Sequence, residues 1–181
     1  MKKQVTDIYE QIQGNSTGLG NLLSKLPGLS GYMERGRRRD ADQLLRETIA
    51  ARLERTRLQF SSVHQELSRD IIRAMQHAED LGRVDTRLMG LIGKIKDAPQ
   101  GYGSFFDAIK VKEDDLARIY IFDENMLNYA DTIELQTAAL EKAVQDDGDV
   151  RGVLRELDTT LREANAAFGQ RDEVIKGISL G

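Results

Sequence analysis

One long stretch without proline constrains this chain more than any other feature. From Asp40 to Lys96, apolar or small residues recur at steps of three and four, which is typical of a helix that packs along its length. Gly82 interrupts the pattern, but one glycine inside a helix costs only about 1 kcal/mol relative to alanine. We therefore predict one very long helix over about residues 40–96, with a kink at Gly82 as the alternative. The apolar seam contains Leu45, Ile49, Leu53, Thr56, Phe60, Val63, Leu67, Ile71, Ala74, Ala78 and Leu81.

Two shorter amphipathic patterns follow the loop around Pro99. The acidic run 113–115 suits the start of a second helix, because carboxylates complement the unpaired amides there. That helix should end in a turn at Asp146-Asp147-Gly148, and Asp149 is the expected N-cap of a third helix. No segment alternates with period two over the length of a strand. The predicted fold is all-α, an elongated antiparallel three-helix coiled-coil bundle with a short N-terminal helical segment.

The unequal helix lengths suggest a division of the chain. Residues 1–36 are predicted to form a short amphipathic helix and a Gly/Pro-rich articulated segment, and residues 37–177 the bundle, followed by a frayed tail at 178–181. Within the bundle, residues 37–63 should project beyond the bundle proper at 64–177, because the second and third helices are each about half as long as the first. The uncovered seam would then be a self-association surface or a site for the N-terminal segment. Its residues are Leu45, Ile49, Leu53 and Phe60.

Composition excludes several classes of function. The chain has no cysteine, which excludes disulfides, thiolate metal sites and cysteine nucleophiles. No apolar run approaches the roughly 20 residues that span a bilayer, and the first residues lack the apolar core of an export signal. We therefore expect a cytoplasmic protein, with attachment to a membrane surface as the alternative.

The search for chemistry gives no catalytic, cofactor or metal site. His64 and His77 lie 13 residues apart, which is too far for a helical metal pair, and neither follows a glutamate by three positions. The acidic run 146–149 lacks the spaced oxygen ligands of a calcium loop. Glycines 14, 18 and 20 fit neither a dinucleotide-binding nor a Walker motif. We expect a protein without enzymatic activity.

Three surfaces remain as candidate contacts. An arginine cluster is interleaved with acids and could be internally paired, bind a protein partner, or contact phosphate or lipid headgroups, whereas nucleic acid is not expected. A short N-terminal face could pack on protein or lie on a membrane, and an aromatic group could close the end of the bundle. The three sets are Arg35, Arg37, Arg38 and Arg39; Val5, Ile8, Tyr9 and Ile12; and Tyr102, Phe105 and Phe106.

Two strings carry a resemblance. Leu26-Pro-Gly-Leu-Ser-Gly-Tyr32 leads into Arg37-Arg-Arg-Asp-Ala-Asp-Gln-Leu-Leu-Arg46, and Gly101-Tyr-Gly-Ser-Phe-Phe-Asp-Ala-Ile-Lys-Val-Lys-Glu-Asp-Asp-Leu116 follows later. Together they cover about a fifth of the chain. In these two strings, the chain resembles a group of uncharacterised bacterial all-helical proteins. The resemblance implies an association with membrane-stress proteins of the SPFH and phage-shock types, and it brings no catalytic or ligand residue.

The sequence therefore favours a scaffold or adaptor that acts through coiled-coil self-association or through protein partners. The alternative is a peripheral membrane-associated stress-response protein that binds anionic lipid through the N-terminal face and the arginine cluster. Charge is unevenly distributed, since residues 1–100 carry 17 Lys and Arg against 13 Asp and Glu, whereas residues 101–181 carry 9 against 17. Such asymmetry can steer self-association or binding to a charged surface.

Overall fold

The described part of the chain folds entirely into helices. The computed structural model describes the backbone of residues 38–98 and 113–171, and the side chains of residues 43–98 and 122–171. Helix α1 spans Arg38–Leu67, α2 spans Ile71–Asp97, α3 spans Glu113–Gln145 and α4 spans Val150–Gly169. No strand occurs in these two ranges. The predicted all-α class is confirmed.

The prediction of one helix over residues 40–96 is wrong, because the chain leaves the helix at Ser68, Arg69 and Asp70. The Asp70 side chain accepts hydrogen bonds from the backbone amides of Ile72 at 2.9 Å and Arg73 at 3.2 Å, and it thereby caps a new helix. An aspartate at this position satisfies amides that have no partner within their own helix. Gly82 lies inside α2, twelve residues beyond the break.

The break folds α1 and α2 into an antiparallel hairpin. Arg57 pairs with Asp85 at 2.9 Å, Lys96 pairs with Glu54, and Arg46 Nη1 donates to the carbonyl of Ala98 at 3.0 Å. Arg57, in the second half of α1, thus contacts the middle of α2. Arg46 and Glu54, which come earlier in α1, contact the end of α2 and the residue that follows it. Two helices joined by so short a connection pack antiparallel, since each must cover its apolar stripe.

Helix α3 runs parallel to α1 and covers it. The Arg52 guanidinium lies 2.6 Å from both Asp131 and Glu134, and Gln59 donates to Glu141 at 2.7 Å. The partner of Gln59 lies further along α3 than the partners of Arg52, so the two helices run in the same direction. Residues 46–63 belong to one compact unit that consists of Arg46–Pro99 and Met126–Arg171. The second compact unit consists of Met1–Leu45, Gln100–Asn125 and Asp172–Gly181, most of which lies outside the described residues.

The predicted self-association seam is buried within a single chain. Leu45, Ile49, Leu53 and Phe60 are each only 1–3% exposed. The premise that this half of the first helix needs a second copy is therefore wrong. Its physical cause is the break at residues 68–70, which turns α2 back along α1 and lets α3 run beside the stretch that was expected to be bare.

Helix α4 lies against α2 in the parallel direction. Arg151 near the start of α4 donates to the Gln76 carbonyl at 3.4 Å, and Asn165 near the end of α4 donates to the carbonyl of Arg87, further along α2, at 3.1 Å. Both helices contribute closely packed apolar side chains to the core. Those buried residues are Leu81, Val84, Leu88, Leu91, Ile92 and Ile95 on α2, and Val150, Leu154, Leu157, Leu161, Ala164 and Phe168 on α4.

The connection between α3 and α4 confirms the predicted capped turn. Asp147 adopts a left-handed φ of 52°, and the Gly148 amide donates to the Ala143 carbonyl at 2.8 Å, which closes the end of α3 in a Schellman pattern. The Asp149 carboxylate then accepts from the Gly152 amide at 2.8 Å and starts α4. The acidic run serves helix capping, as the sequence indicates.

Several predicted features lie outside the described residues. These are the N-terminal helix and articulated segment, the loop before α3, and the end of the predicted bundle with its tail. The candidate residues Val5, Ile8, Tyr9, Ile12, Arg35, Arg37, Tyr102, Phe105 and Phe106 lie there, and the side chains of Arg38 and Arg39 are also outside the described set.

Burial of the α1 seam leads to a stability prediction. Replacing Leu53 by alanine should lower the free energy of unfolding by about 2–5 kcal/mol, because it leaves a cavity in the core. Leu58 is 70% exposed on the same helix, and Leu58→Ala should change that free energy by less than about 0.5 kcal/mol. Urea unfolding followed by circular dichroism measures both. Equal stability of the two variants would contradict the packing of α1 described above.

The cap of α2 leads to a second prediction. Asp70→Ala should lower the free energy of unfolding by about 0.5–2 kcal/mol, because two amides lose their hydrogen-bond acceptor. Asp70→Asn retains an acceptor oxygen and should recover most of the loss. Chemical unfolding of the three proteins tests this. A full loss in the asparagine variant would show that the negative charge, rather than the hydrogen bonds, stabilises the helix start.

Candidate interaction surface on the second helix

The first third of α2 places polar groups toward the bundle. Every buried apolar residue of α2 lies at Leu81 or later. Before that point, Arg73 donates to the Val144 carbonyl at 3.1 Å and pairs with Asp147 at 3.1 Å. Arg151 of α4 donates to the Gln76 carbonyl at 3.4 Å. Side-chain and backbone polar contacts therefore hold this part of the helix in place.

The large apolar residues of the same two turns are exposed. Ile71 is 75% exposed, Ile72 69% and Met75 78%. We call these three residues the corner patch, since they lie directly after the turn that joins α1 to α2. Isolated exposed apolar side chains are common on protein surfaces, but adjoining ones indicate a contact surface.

A stripe of uncharged residues continues from the corner patch along α2, and the side chain of Glu79, which is 91% exposed, lies beside it. Helical geometry of about 100° per residue places Gly82, Met89 and Gly93 in line with Ile71 and Met75. Met89 is 50% exposed, and a Cβ atom added at Gly82 or Gly93 would meet nothing within 4 Å. The space above both glycines is therefore open to a partner that approaches the backbone closely.

His77 lies on the inward side of this region. Burial lowers the pKa of His77, the charge of Arg151 lowers it further, Asp80 raises it, and Arg73 lowers it again. Nδ1 of His77 has no hydrogen-bond partner although it is shielded from solvent. Burial and the nearby arginines therefore favour the neutral imidazole of His77.

The described residues hold no other candidate site. Among them, no group of three or more His, Asp or Glu residues could hold a metal ion. Within the same ranges, no helix is long and apolar enough to cross a membrane. His64 is exposed and His77 half-buried on different helices, so the structure does not bring the two histidines together.

Sequence reasoning missed the corner patch because it extended one seam through the break. It placed Ile71, Ala74 and Ala78 on the buried side, whereas Ile71 and Ala78 are exposed and Ala74 is half-buried. Residues 68–70 are not helical, so the side of the helix that carries the apolar residues shifts between Leu67 and Leu81. The signal that could have found the break is Ser68-Arg69-Asp70 before two isoleucines, a capping residue at the start of a new apolar period.

His77 gives this region a pH dependence. Its pKa is lower in the folded protein than the ordinary 6.5, so the unfolded chain binds more protons below that value. The free energy of unfolding should therefore decrease as the pH falls through 6.5 and below. His77→Gln should weaken this decrease, with His64→Gln as the matched control at an exposed histidine. Urea unfolding from pH 7.5 to 5 measures it, and an identical pH dependence in the wild type and His77→Gln would contradict it.

No family model, no curated protein and no solved structure matches the chain.

Proposed function

We propose that this protein is a non-enzymatic helical scaffold or adaptor, and that it binds a helix of another protein molecule through the outward side of α2. The single observation that carries the proposal is the corner patch. Three adjoining large apolar side chains are more than two-thirds exposed at the start of a helix whose first buried apolar residue is Leu81. Burying such side chains stabilises a complex by removing apolar area from water.

The arrangement of polar contacts supports a binding surface that does not distort when it is occupied. Arg73 is anchored to the end of α3, and Arg151 is anchored to the backbone of α2. These contacts fix the start of α2 from the inward side while Ile71, Ile72 and Met75 stay outside. A surface that is already ordered loses little conformational entropy on binding, which favours affinity.

Two other exposed leucines provide a contrast. Leu58 on α1 and Leu135 on α3 are exposed to a similar degree as the corner patch, but no other large exposed apolar residue lies within a turn of either. Scattered single residues of this kind are normal on a protein surface. We therefore assign the contact to α2 and not to the seam at residues 45–60, which is buried.

The alternative proposal is peripheral binding to anionic lipid. It depends on the N-terminal face and the arginine cluster, which lie outside the described side chains. Flotation with anionic vesicles at low and high salt distinguishes it, since electrostatic attachment weakens as salt screens the charges. Flotation that is lost at high salt would favour this alternative over the proposed protein contact.

A photo-crosslinking amino acid at Met75 tests the protein contact. Leu135 gives a matched control position, because it is 71% exposed and lies on a different helix. In cells that express the protein, position 75 should give a protein adduct at least about tenfold more abundant than position 135, as a specific contact of about 1.4 kcal/mol or more requires. Mass spectrometry identifies the adduct, whether it is a second copy or another protein. Equal adducts at the two positions, or lipid adducts alone, would contradict the proposal.

A further inference from the structure

The first ten residues of α2 are tied to the bundle by polar contacts rather than by buried side chains. Residues 71–80 are all exposed or half-buried, whereas the rest of the helix buries six apolar side chains. Two arginines form the ties: Arg73 donates to the carbonyl of Val144 at 3.1 Å, and Arg151 of α4 donates to the carbonyl of Gln76 at 3.4 Å. A segment with few buried apolar contacts opens at a lower free energy than the core around it. The start of α2 is therefore the part of this helix where a local opening can begin.

His77 adjoins both arginine contacts. It follows Gln76 directly in the sequence, and it lies one helical turn beyond Arg73. Its Nδ1 atom is shielded from solvent and has no hydrogen-bond partner among the described residues. A charged imidazole carries a proton on both nitrogens, so the proton on Nδ1 would find neither water nor an acceptor here. This position therefore suits the neutral imidazole and disfavours the charged one.

The charges around His77 act in the same direction. The groups that act on it are Arg73 and Asp80 of its own helix and Arg151 of α4. From the end of α3, Asp147 pairs with Arg73 at 3.1 Å, but the Asp147 side chain is 86% exposed and water screens its charge. Burial, followed by the two arginines, keeps the pKa of His77 below the ordinary 6.5, although Asp80 opposes them.

We infer that residues 71–80 form an acid-sensitive segment, which opens from the bundle when His77 takes up a proton, while α2 from Leu81 onward remains packed. In the open form, the imidazolium is hydrated and is no longer confined beside Arg73 and Arg151. The open form therefore binds the proton more tightly, and protonation raises its population. The closed form is favoured most above pH 6.5 and loses this preference as the pH falls below that value.

The segment carries the corner patch, so its opening removes an ordered contact surface. Binding at Ile71, Ile72 and Met75 should therefore weaken in acid, and this consequence rests on the proposed function. The opening itself is a property of the single chain. Its test uses the chain without a partner, so failure of the opening and failure of the proposed contact are separate results.

Hydrogen exchange at single amides of the full chain, followed by NMR, tests the opening. At pH 7.5, protection factors at residues 74–80 should be at least about tenfold lower than at residues 84–95, and small amounts of urea should leave them nearly unchanged. Acidification to pH 5 should lower them at least about threefold further, after correction for the intrinsic effect of pH on exchange. Protection equal to that of residues 84–95 would show that only global unfolding exposes the segment, and would overturn the inference.

His77→Gln separates this histidine from the other titrating groups. Histidine is the side chain that ordinarily changes its charge between pH 7.5 and 5. The variant should show no fall in protection at residues 74–80 over this range, whereas His64→Gln, at the exposed histidine of α1, should show the same fall as the wild type. A fall that persists in His77→Gln would rule out His77 as the group responsible.

An NMR titration of the imidazole signals tests the protonation step directly. The chain has two histidines, so the signals that remain in His64→Gln belong to His77. His77 should titrate below pH 6.5, and Arg151→Gln should raise its pKa, because a nearby positive charge is removed. Arg155→Gln, at another exposed arginine of α4, is the control and should leave the pKa of His77 unchanged. Titration of His77 at or above pH 6.5, or equal effects of the two arginine variants, would contradict the inference.

Discussion

The carboxylate of Asp70 sets the arrangement on which the rest of the structure depends. By accepting from two amides, it makes a helix start favourable in the middle of a sequence whose apolar pattern could otherwise continue. Once α2 turns back, α1 acquires a neighbour along its length through the Arg57–Asp85 pair. The hairpin then offers one continuous surface to α3 and α4. The cap contributes about 1 kcal/mol at the break, and burial of the apolar side chains of α1 stabilises the folded-back arrangement that follows from it.

The two halves of α2 are stabilised by different interactions. From Leu81 onward, the helix buries a continuous apolar stripe against α4 and needs little else. Before Leu81, it is held by Arg73, which reaches the backbone of α3, and by Arg151 of α4, while large apolar side chains remain outside. Hydrogen bonds of this kind contribute less to the free energy of folding than closely packed apolar area does. The start of α2 is accordingly held less strongly than the part of the helix after Leu81.

The helices and their turn at residues 146–149 could be predicted from the sequence, because they depend on local patterns. The sequence correctly predicts a cap at Asp149 and a turn at the acidic run before it. The charged residues at the start of α3 and the glycine after its end also mark the bounds of that helix. The direction of α3 beside α1 could not be predicted, since periodicity says which face of a helix is apolar but not which neighbour covers it. The break at residues 68–70 was missed because no proline or glycine marks it. That error placed the candidate surface at Leu53 and Phe60, which are buried, instead of at Ile71 and Met75, which are exposed.

The parallel pairing of α1 with α3, and of α2 with α4, has a consequence for how the chain acquires its structure. Arg52 and Glu134 are 82 residues apart in the sequence, and Arg87 and Asn165 are 78 apart. The α1–α2 hairpin can form as soon as the ribosome has released it, but its apolar stripes stay uncovered until most of the chain has been made. Contacts between such distant segments slow folding, and uncovered stripes favour aggregation. The newly made hairpin is thus the stage at which uncovered apolar surface most favours aggregation of this chain.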